Sequence, residues 1–239
     1  MGKECPWGAP VTKKVLILAE GPTEEAFIKR TLAPALPGVW LIPTVVKTKV
    51  TGAKPEKGGT VTYHEFKRQL NLLLRDSSAS LVTMMLDYQG LRSDFPGRER
   101  PNGNTPAARV SFVQEAMGAD VNDARFLPFL TLHEFEALLF VKPQMIADVL
   151  RKQVLAKPLQ VIRERFPSTP EDINDSPLTS PSAQIESVCA EHCGSPRVFQ
   201  KRTHGPIIAG RIGLKQIRQE CPHFNDWLNK LEALAKLNK

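Results

Sequence analysis

Apolar residues fall into two patterns along the N-terminal part of this chain, short unbroken runs and helical stripes, and the two alternate. The run Val15-Leu-Ile-Leu-Ala19 is followed by Gly21-Pro22 and the helical pattern TEEAFIKRTL. Pro22 suits the first turn of a helix, and Glu24 and Glu25 suit its positive end. The second run, Val39 to Val46, is interrupted by Pro43, which predicts an edge strand. Phe66, Leu70, Leu73 and Leu74 then recur at helical spacing. Leu81 to Leu86 predicts a third strand that ends at Asp87. A polar loop, Tyr88 to Asn104, leads to Thr105-Pro106, which opens a helix striped by Val110, Val113 and Met117. Phe126 to Leu132 predicts a fourth strand, and HEFEALLF turns straight into a helix.

Strands alternating with helices predict an α/β fold, a mostly parallel sheet flanked by helices on both faces. From about Pro143 the pattern is helical, with segments around Met145 to Lys152, Pro158 to Arg165, Ser182 to Cys193, Pro206 to Glu220 and His223 to Leu237. The proline- and serine-rich stretch FPSTPEDINDSPLTSPS connects two of them. The expected organisation is an α/β domain over residues 1–142 and a helical C-terminal extension over 143–239, packed on it.

Composition adds one clue. The chain carries 32 Lys and Arg against 25 Asp and Glu, a formal charge of +7, and a basic chain attracts polyanions, nucleic acid first. The 41% apolar content is that of a folded globular protein. No apolar run approaches the ~20 residues of a membrane span, and the N-terminal stretch lacks a signal-peptide pattern, so the expected location is the cytoplasm. Cys189, Cys193 and Cys221, with His192 and His223, suggest a zinc site, but at non-standard spacing; ordinary reduced cysteines are expected.

In open parallel sheets ligands bind beyond the carboxyl ends of the strands. Glu20 directly follows strand one, Asp87 ends strand three and Glu134 follows strand four. Adjacent strands would bring these carboxylates together, where they repel unless a cation or protons offset them. An all-oxygen set favours Mg²⁺ or Mn²⁺ over zinc. Glu24 has two readings, helix cap or site residue, and Glu134 and Glu136 also suit the start of an amphipathic helix.

At these residues the chain resembles the Toprim (topoisomerase–primase) domain. More narrowly, it is similar to an uncharacterised prokaryotic Toprim-like family found near ATPases in defence-type gene neighbourhoods. The likeness runs through EGPTEEAF (Glu20 to Phe27), LDYQGLRSDFPG (Leu86 to Gly97) and LHEFEALLF (Leu132 to Phe140). It continues in EDINDSP (Glu171 to Pro177), KRTHGPIIAGRIGLKQIR (Lys201 to Arg218) and CPHFNDWL (Cys221 to Leu228). Toprim nucleases, including the overcoming-lysogenization-defect group, carry a glutamate after the first strand and an Asp-x-Asp pair after a later one. Glu20 and Asp87 match the glutamate and the first aspartate, and Glu24 matches a further acid four residues on. Gln89 stands where the second aspartate belongs, and Asp94 in the following loop is the candidate substitute.

The resemblance implies Mg²⁺- or Mn²⁺-dependent hydrolysis of a nucleic-acid phosphodiester. Glu20, Asp87 and Glu134 would act at the reacting centre, with Glu24 and Asp94 among the metal ligands. Lys47, Lys49, Lys54, Lys201, Arg202 and Arg211 are candidate contacts to the phosphate backbone, and His133 and His204 candidate proton carriers. No nucleophile elbow and no P-loop is present, so any ATP hydrolysis falls to a partner ATPase, which the resemblance also implies. A non-catalytic nucleic-acid-binding or regulatory subunit is the rival reading, favoured by Gln89. Chemistry on a small phosphorylated nucleotide is a third.

Overall fold

The computed structural model describes residues 12–48, 56–57, 61–173 and 178–236. Strand β1 (Lys13–Ala19) is buried throughout from Val15 to Ala19, as expected of a central strand covered on both faces. It leads through the helical stretch α1 (Pro22–Phe27), a π-helical segment (Ile28–Leu32) and α2 (Ala33–Ala35) to β2 (Val39–Val45). A short antiparallel pair, β3 (Lys47–Thr48) and β4 (Glu56–Lys57), precedes α3 (Tyr63–Leu74) and β5 (Leu81–Asp87). Helix α4 (Pro106–Val121) returns the chain to β6 (Phe126–Leu127) and β7 (Leu130–Thr131).

The sheet order is β2-β1-β5-β6, with β7 also beside β5, and every pairing in it is parallel. The α/β expectation therefore holds, and so does the edge position of Pro43, which faces Ile17 of β1 from the outermost strand. Residues 126 to 131 keep one register along β5, Val82 against Phe126 and Asp87 against Thr131. The expected fourth strand is thus a single edge segment interrupted at Pro128 and Phe129. That edge is sealed by side chains. Gln114 of α4 accepts the Leu130 N–H at 2.8 Å, and the His223 ring bonds the Leu130 carbonyl at 2.8 Å.

Alternation along β1 divides the core. Leu16 and Leu18 face Phe66 and Leu70 of α3 and Val110, Val113 and Met117 of α4. Val15, Ile17 and Ala19 face α1 and the C-terminal helices. Those are α5 (Pro143–Leu150), α6 (Ala156–Glu164), α7 (Pro181–Cys193), α8 (Lys201–Ile212), α9 (Leu214–Glu220) and α10 (Pro222–Lys236). One hydrophobic cluster runs from Val15 to Leu231, across the change of character at residue 143. Helix α10 is fastened to the sheet at Trp227, whose indole N–H donates to Thr83 Oγ1 at 3.0 Å; Thr83 in turn donates to the Leu127 carbonyl at 2.6 Å. Phe129 stacks on Trp227 at 4.4 Å and on His223 at 5.3 Å.

Two expectations change. The single helix expected from Pro206 to Glu220 is two, α8 and α9, because Gly213 takes a left-handed φ of 84° and stops the first. Helix α8 starts at Lys201, upstream of Pro206, so the missing proline N–H frees only a carbonyl in the opening turn. The helix expected after His133 is a 3-10 helix, Phe135–Val141, and it is buried on every side instead of amphipathic. Among the described residues no helix is long and apolar enough to cross a membrane.

Candidate functional site

The parallel pairing of β1 with β5 sets the carboxyl ends of both strands side by side, so Glu20 and Asp87 meet. The Asp87 N–H donates to Glu20 Oε2 at 2.6 Å. The Asp87 carboxylate is itself held through Oδ1, by the Thr131 hydroxyl at 2.7 Å and the Phe135 N–H at 3.0 Å. Strand β7 and the 3-10 helix therefore aim Asp87 back toward β1.

Glu24 joins them from the first turn of α1. Its Oε2 accepts the Gly21 N–H at 2.8 Å, and the side chain is buried. The two readings of Glu24 thus coexist, since a cap at this position also points its carboxyl group at the strand ends. Gly21 is extended (φ −151°), so backbone freedom does not require glycine there. A Cβ would stand 3.3 Å from Glu24 Oε2, and that crowding is the constraint.

Glu136, fully buried in the 3-10 helix, supplies a fourth carboxylate. Together Glu20, Glu24, Asp87 and Glu136 line a pocket of ≈ 200 Å³ with Lys201 and Arg202. Lys201 Nζ lies 3.5 Å from Glu134 Oε1 and 3.7 Å from Glu136 Oε2. Helix α8 reaches this position because Gly205 lets it close on its neighbours. A Cβ at 205 would meet Thr23 Cγ2 at 3.2 Å and the Phe135 ring at 3.3 Å. The motif KRTHGP is thereby explained by packing and charge at once.

Lys201 and Arg202 bring two positive charges to four carboxylates, which does not neutralise them in a buried setting. Burial, and then the adjacent Asp87 charge, push Glu20 up to about 8. Burial likewise raises Glu136 to about 8 and Asp87 to about 6, while Lys201 pulls both down. Glu24 is raised by burial and by Asp87 and Glu20. Burial works to lower Lys201, yet Glu136, Glu134 and Asp87 hold it above the ordinary lysine range. The pocket therefore has an unmet demand for positive charge.

Oxygen donors with surplus negative charge fit a hard divalent cation. Among the described residues no three Asp, Glu, His or Cys side chains form a ready-made cage. Mg²⁺ does not require one, because it keeps several waters and is usually held by one or two carboxylates together with substrate phosphate.

Glu134 is not in this pocket. Its Oε2 accepts the Ser182 N–H at 2.9 Å, holding the start of α7, while its other oxygen faces Lys201. Glu136, two residues on, takes the place expected of Glu134; the visible signal was a glutamate embedded in the apolar run FEALLF. Asp94 also lies elsewhere. Its carboxylate accepts the Tyr63 N–H at 3.0 Å at the positive end of α3 and sits 3.7 Å from Arg92. Gln89, in the place of the second motif aspartate, donates its backbone N–H to the His133 carbonyl at 3.2 Å, and its Oε1 is buried with no hydrogen-bond partner among the described residues.

Of the basic candidates, Lys201 and Arg202 line the pocket. Arg211 lies about 13 Å further along α8. Lys47 is exposed on β3, where its backbone pairs with the Gln69 side chain at 2.8 and 2.9 Å. Lys49 and Lys54 lie outside the described residues. His204 Nδ1 accepts the Gln200 N–H at 3.0 Å, an N-terminal brace for α8, and burial lowers its pKa. His133 is buried and does not line the pocket. Cys189, Cys193 and Cys221 are free thiols, and burial raises Cys189 to about 11.

No curated protein and no solved structure matches this chain. One family does match, over residues 19–232, from the last residue of β1 to the body of α10 and so across the whole acidic pocket. The chain belongs to that family, the one described as Domain of unknown function (DUF4276).

Proposed function

We propose that the protein is a Mg²⁺- or Mn²⁺-dependent phosphodiester hydrolase acting on DNA or RNA. The observation that carries this reading is the meeting of Glu20 and Asp87 at the ends of adjacent parallel strands, with Glu24, Glu136 and Lys201 around them. The match of Glu20, Glu24 and Asp87 to the motif acids of Toprim nucleases supports it from the sequence side. On this reading Glu20 and Asp87 hold the cation, with Glu24 and Glu136 completing or orienting the set. Bound there, a divalent ion lowers the pKa of a water and neutralises charge on the phosphate. Lys201 and Arg202 line the same pocket and add fixed positive charge for a phosphodiester. A role in prokaryotic defence beside a cytoplasmic ATPase partner extends the same reading and rests on the resemblance alone.

A specific observation favours the rival, a non-catalytic Toprim-scaffold subunit that binds nucleic acid. Gln89 replaces a motif carboxylate, which leaves fewer acidic ligands than the nuclease pattern. The two readings part in a cleavage assay on DNA and RNA with Mg²⁺ or Mn²⁺, alone and with the neighbouring ATPase. The hydrolase reading expects cutting by the wild type that both Glu20→Ala and Asp87→Ala abolish. Activity surviving both substitutions overturns the site. Cation-independent binding without cutting under either condition establishes the rival.

A further inference from the structure

Helices α6 and α7 part to leave a groove of ≈ 560 Å³ that shares no lining residue with the acidic pocket. Its floor is apolar, Ile162 and Val188, both part of the main core. Its lips are unusual for a solvent face. Val161 is 42% exposed and Leu178 is 87% exposed, a cost that monomeric surfaces tend to avoid when such residues flank one groove.

Charge is divided between the walls. Lys157 on α6 and Arg165, at its C-terminal cap, bracket Val161 at spacings of four residues, all three exposed. On the α7 wall stands Glu191, exposed, with its neighbour His192 at 3.8 Å. Among the described residues neither Lys157 nor Arg165 forms an ion pair, so the cations of one wall are unmatched, while Glu191 on the other stays 73% exposed beside His192.

We propose that this groove is a homodimer interface, occupied by the same groove of a second copy. A twofold axis along the groove inverts the walls, so that α6 of each copy faces α7 of the other. The cationic α6 wall of each copy then faces Glu191 of the other, and the projecting Leu178 crosses to the wall that carries Val161. A twofold across the groove would set cations against cations and is disfavoured. A polyanion gains nothing from Val161 and Leu178 and is repelled by Glu191, so nucleic acid is the poorer occupant.

Sedimentation velocity over a concentration series tests this on the full chain. The expected result is a reversible dimer. Val161→Asp should weaken it strongly, and Lys157→Glu or Glu191→Lys alone should weaken it by roughly tenfold, as two attractive pairs turn repulsive. A mixture of the Lys157→Glu and Glu191→Lys chains should associate again, because each altered wall now faces its complement. All three positions are exposed, and thermal unfolding equal to wild type confirms that each variant folds. A monomer at every concentration overturns the proposal. So does a dimer that these substitutions leave unchanged, or a mixture that fails to re-associate.

Discussion

Two regions of this molecule bury carboxylates, and they do so to opposite ends. Glu171 is buried on the helical side of the sheet and accepts the His223 N–H at 2.9 Å and the Phe224 N–H at 3.0 Å. Those are the opening amides of α10, so Glu171 is a long-range helix cap. Burial raises it to about 7, and its two backbone bonds pull the other way. At the strand ends four carboxylates converge, Glu20 accepts one backbone N–H, and Lys201 and Arg202 are the nearby cations. A raised carboxylate by itself therefore does not mark a site. What separates the two regions is convergence from different strands and a charge demand that the surrounding groups leave unmet.

The largest effect should come from exchanging the two kinds of loss. On the hydrolase reading proposed above, Glu20→Ala or Asp87→Ala is expected to reduce cleavage on the order of 10²–10³-fold, because charge stabilisation dominates such reactions, while the melting temperature holds or rises. Glu171→Ala is expected to do the reverse. It strands two helix-opening amides and should cost about 2–4 kcal/mol, which lowers the melting temperature by about 5–10 °C. Cleavage per folded molecule should stay near wild type. Thermal unfolding and initial rates on the same preparations check both halves. Cleavage lost in Glu171→Ala at a temperature where it is folded would dissolve the distinction.

A smaller effect is the pH dependence of stability in metal-free protein. Glu20 and Glu136 are raised to about 8 and Asp87 to about 6 in the fold, against about 4 in an unfolded chain. The folded state therefore holds the extra protons between these limits. Stability is fully present below the unfolded pKa, near pH 4, and is lost as pH rises toward 8. The melting temperature of the chelated protein should fall across that window. Mg²⁺ or Mn²⁺ should restore it, more at pH 8 than at pH 6, since protons and cation compete for the same oxygens. Glu136→Gln should flatten the slope, recovering about 2–4 °C at pH 8. Glu171 contributes in the same direction up to about pH 7, but a cation should not rescue its share. A chelated protein whose stability is flat from pH 5 to pH 8 removes the charge frustration on which the comparison stands.

Much of this was legible in the residue order, for physical reasons. The unbroken apolar run Val15 to Ala19, too short for a buried α-helix and stopped by Gly21-Pro22, reads as a strand covered on both faces, and Pro43 sits where no donor is needed. Glu20 and Asp87 follow from the rule that strand ends converge. Glu136 was not legible, because choosing it over Glu134 needed the path of the chain: Glu134 stays extended before a 3-10 helix begins at Phe135. Asp94 was misplaced for a similar reason, since the free amide of Tyr63 competes for its carboxylate. Glu171 was invisible as a cap because its partner helix lies some fifty residues further along the chain.

The finest test addresses Lys201, where the acidic pocket is closest to being internally satisfied. Its ammonium already occupies cation space, 3.7 Å from Glu136 and 3.5 Å from Glu134. A divalent ion entering the pocket must share Glu136 with it. Lys201→Met keeps the length of the side chain and removes the charge, so affinity for Mn²⁺ should rise by roughly tenfold, as one competing charge is worth about one pKa unit at this range. Cleavage should fall in the same variant, because the positive charge offered to phosphate is gone. Titration calorimetry with Mn²⁺ alone separates the two consequences. If Lys201 served only as a surface contact for nucleic acid, metal affinity would not move and the salt dependence of binding would. An increase in affinity together with a loss of cleavage would place Lys201 inside the charge cluster, as the cation that Glu171 never needed.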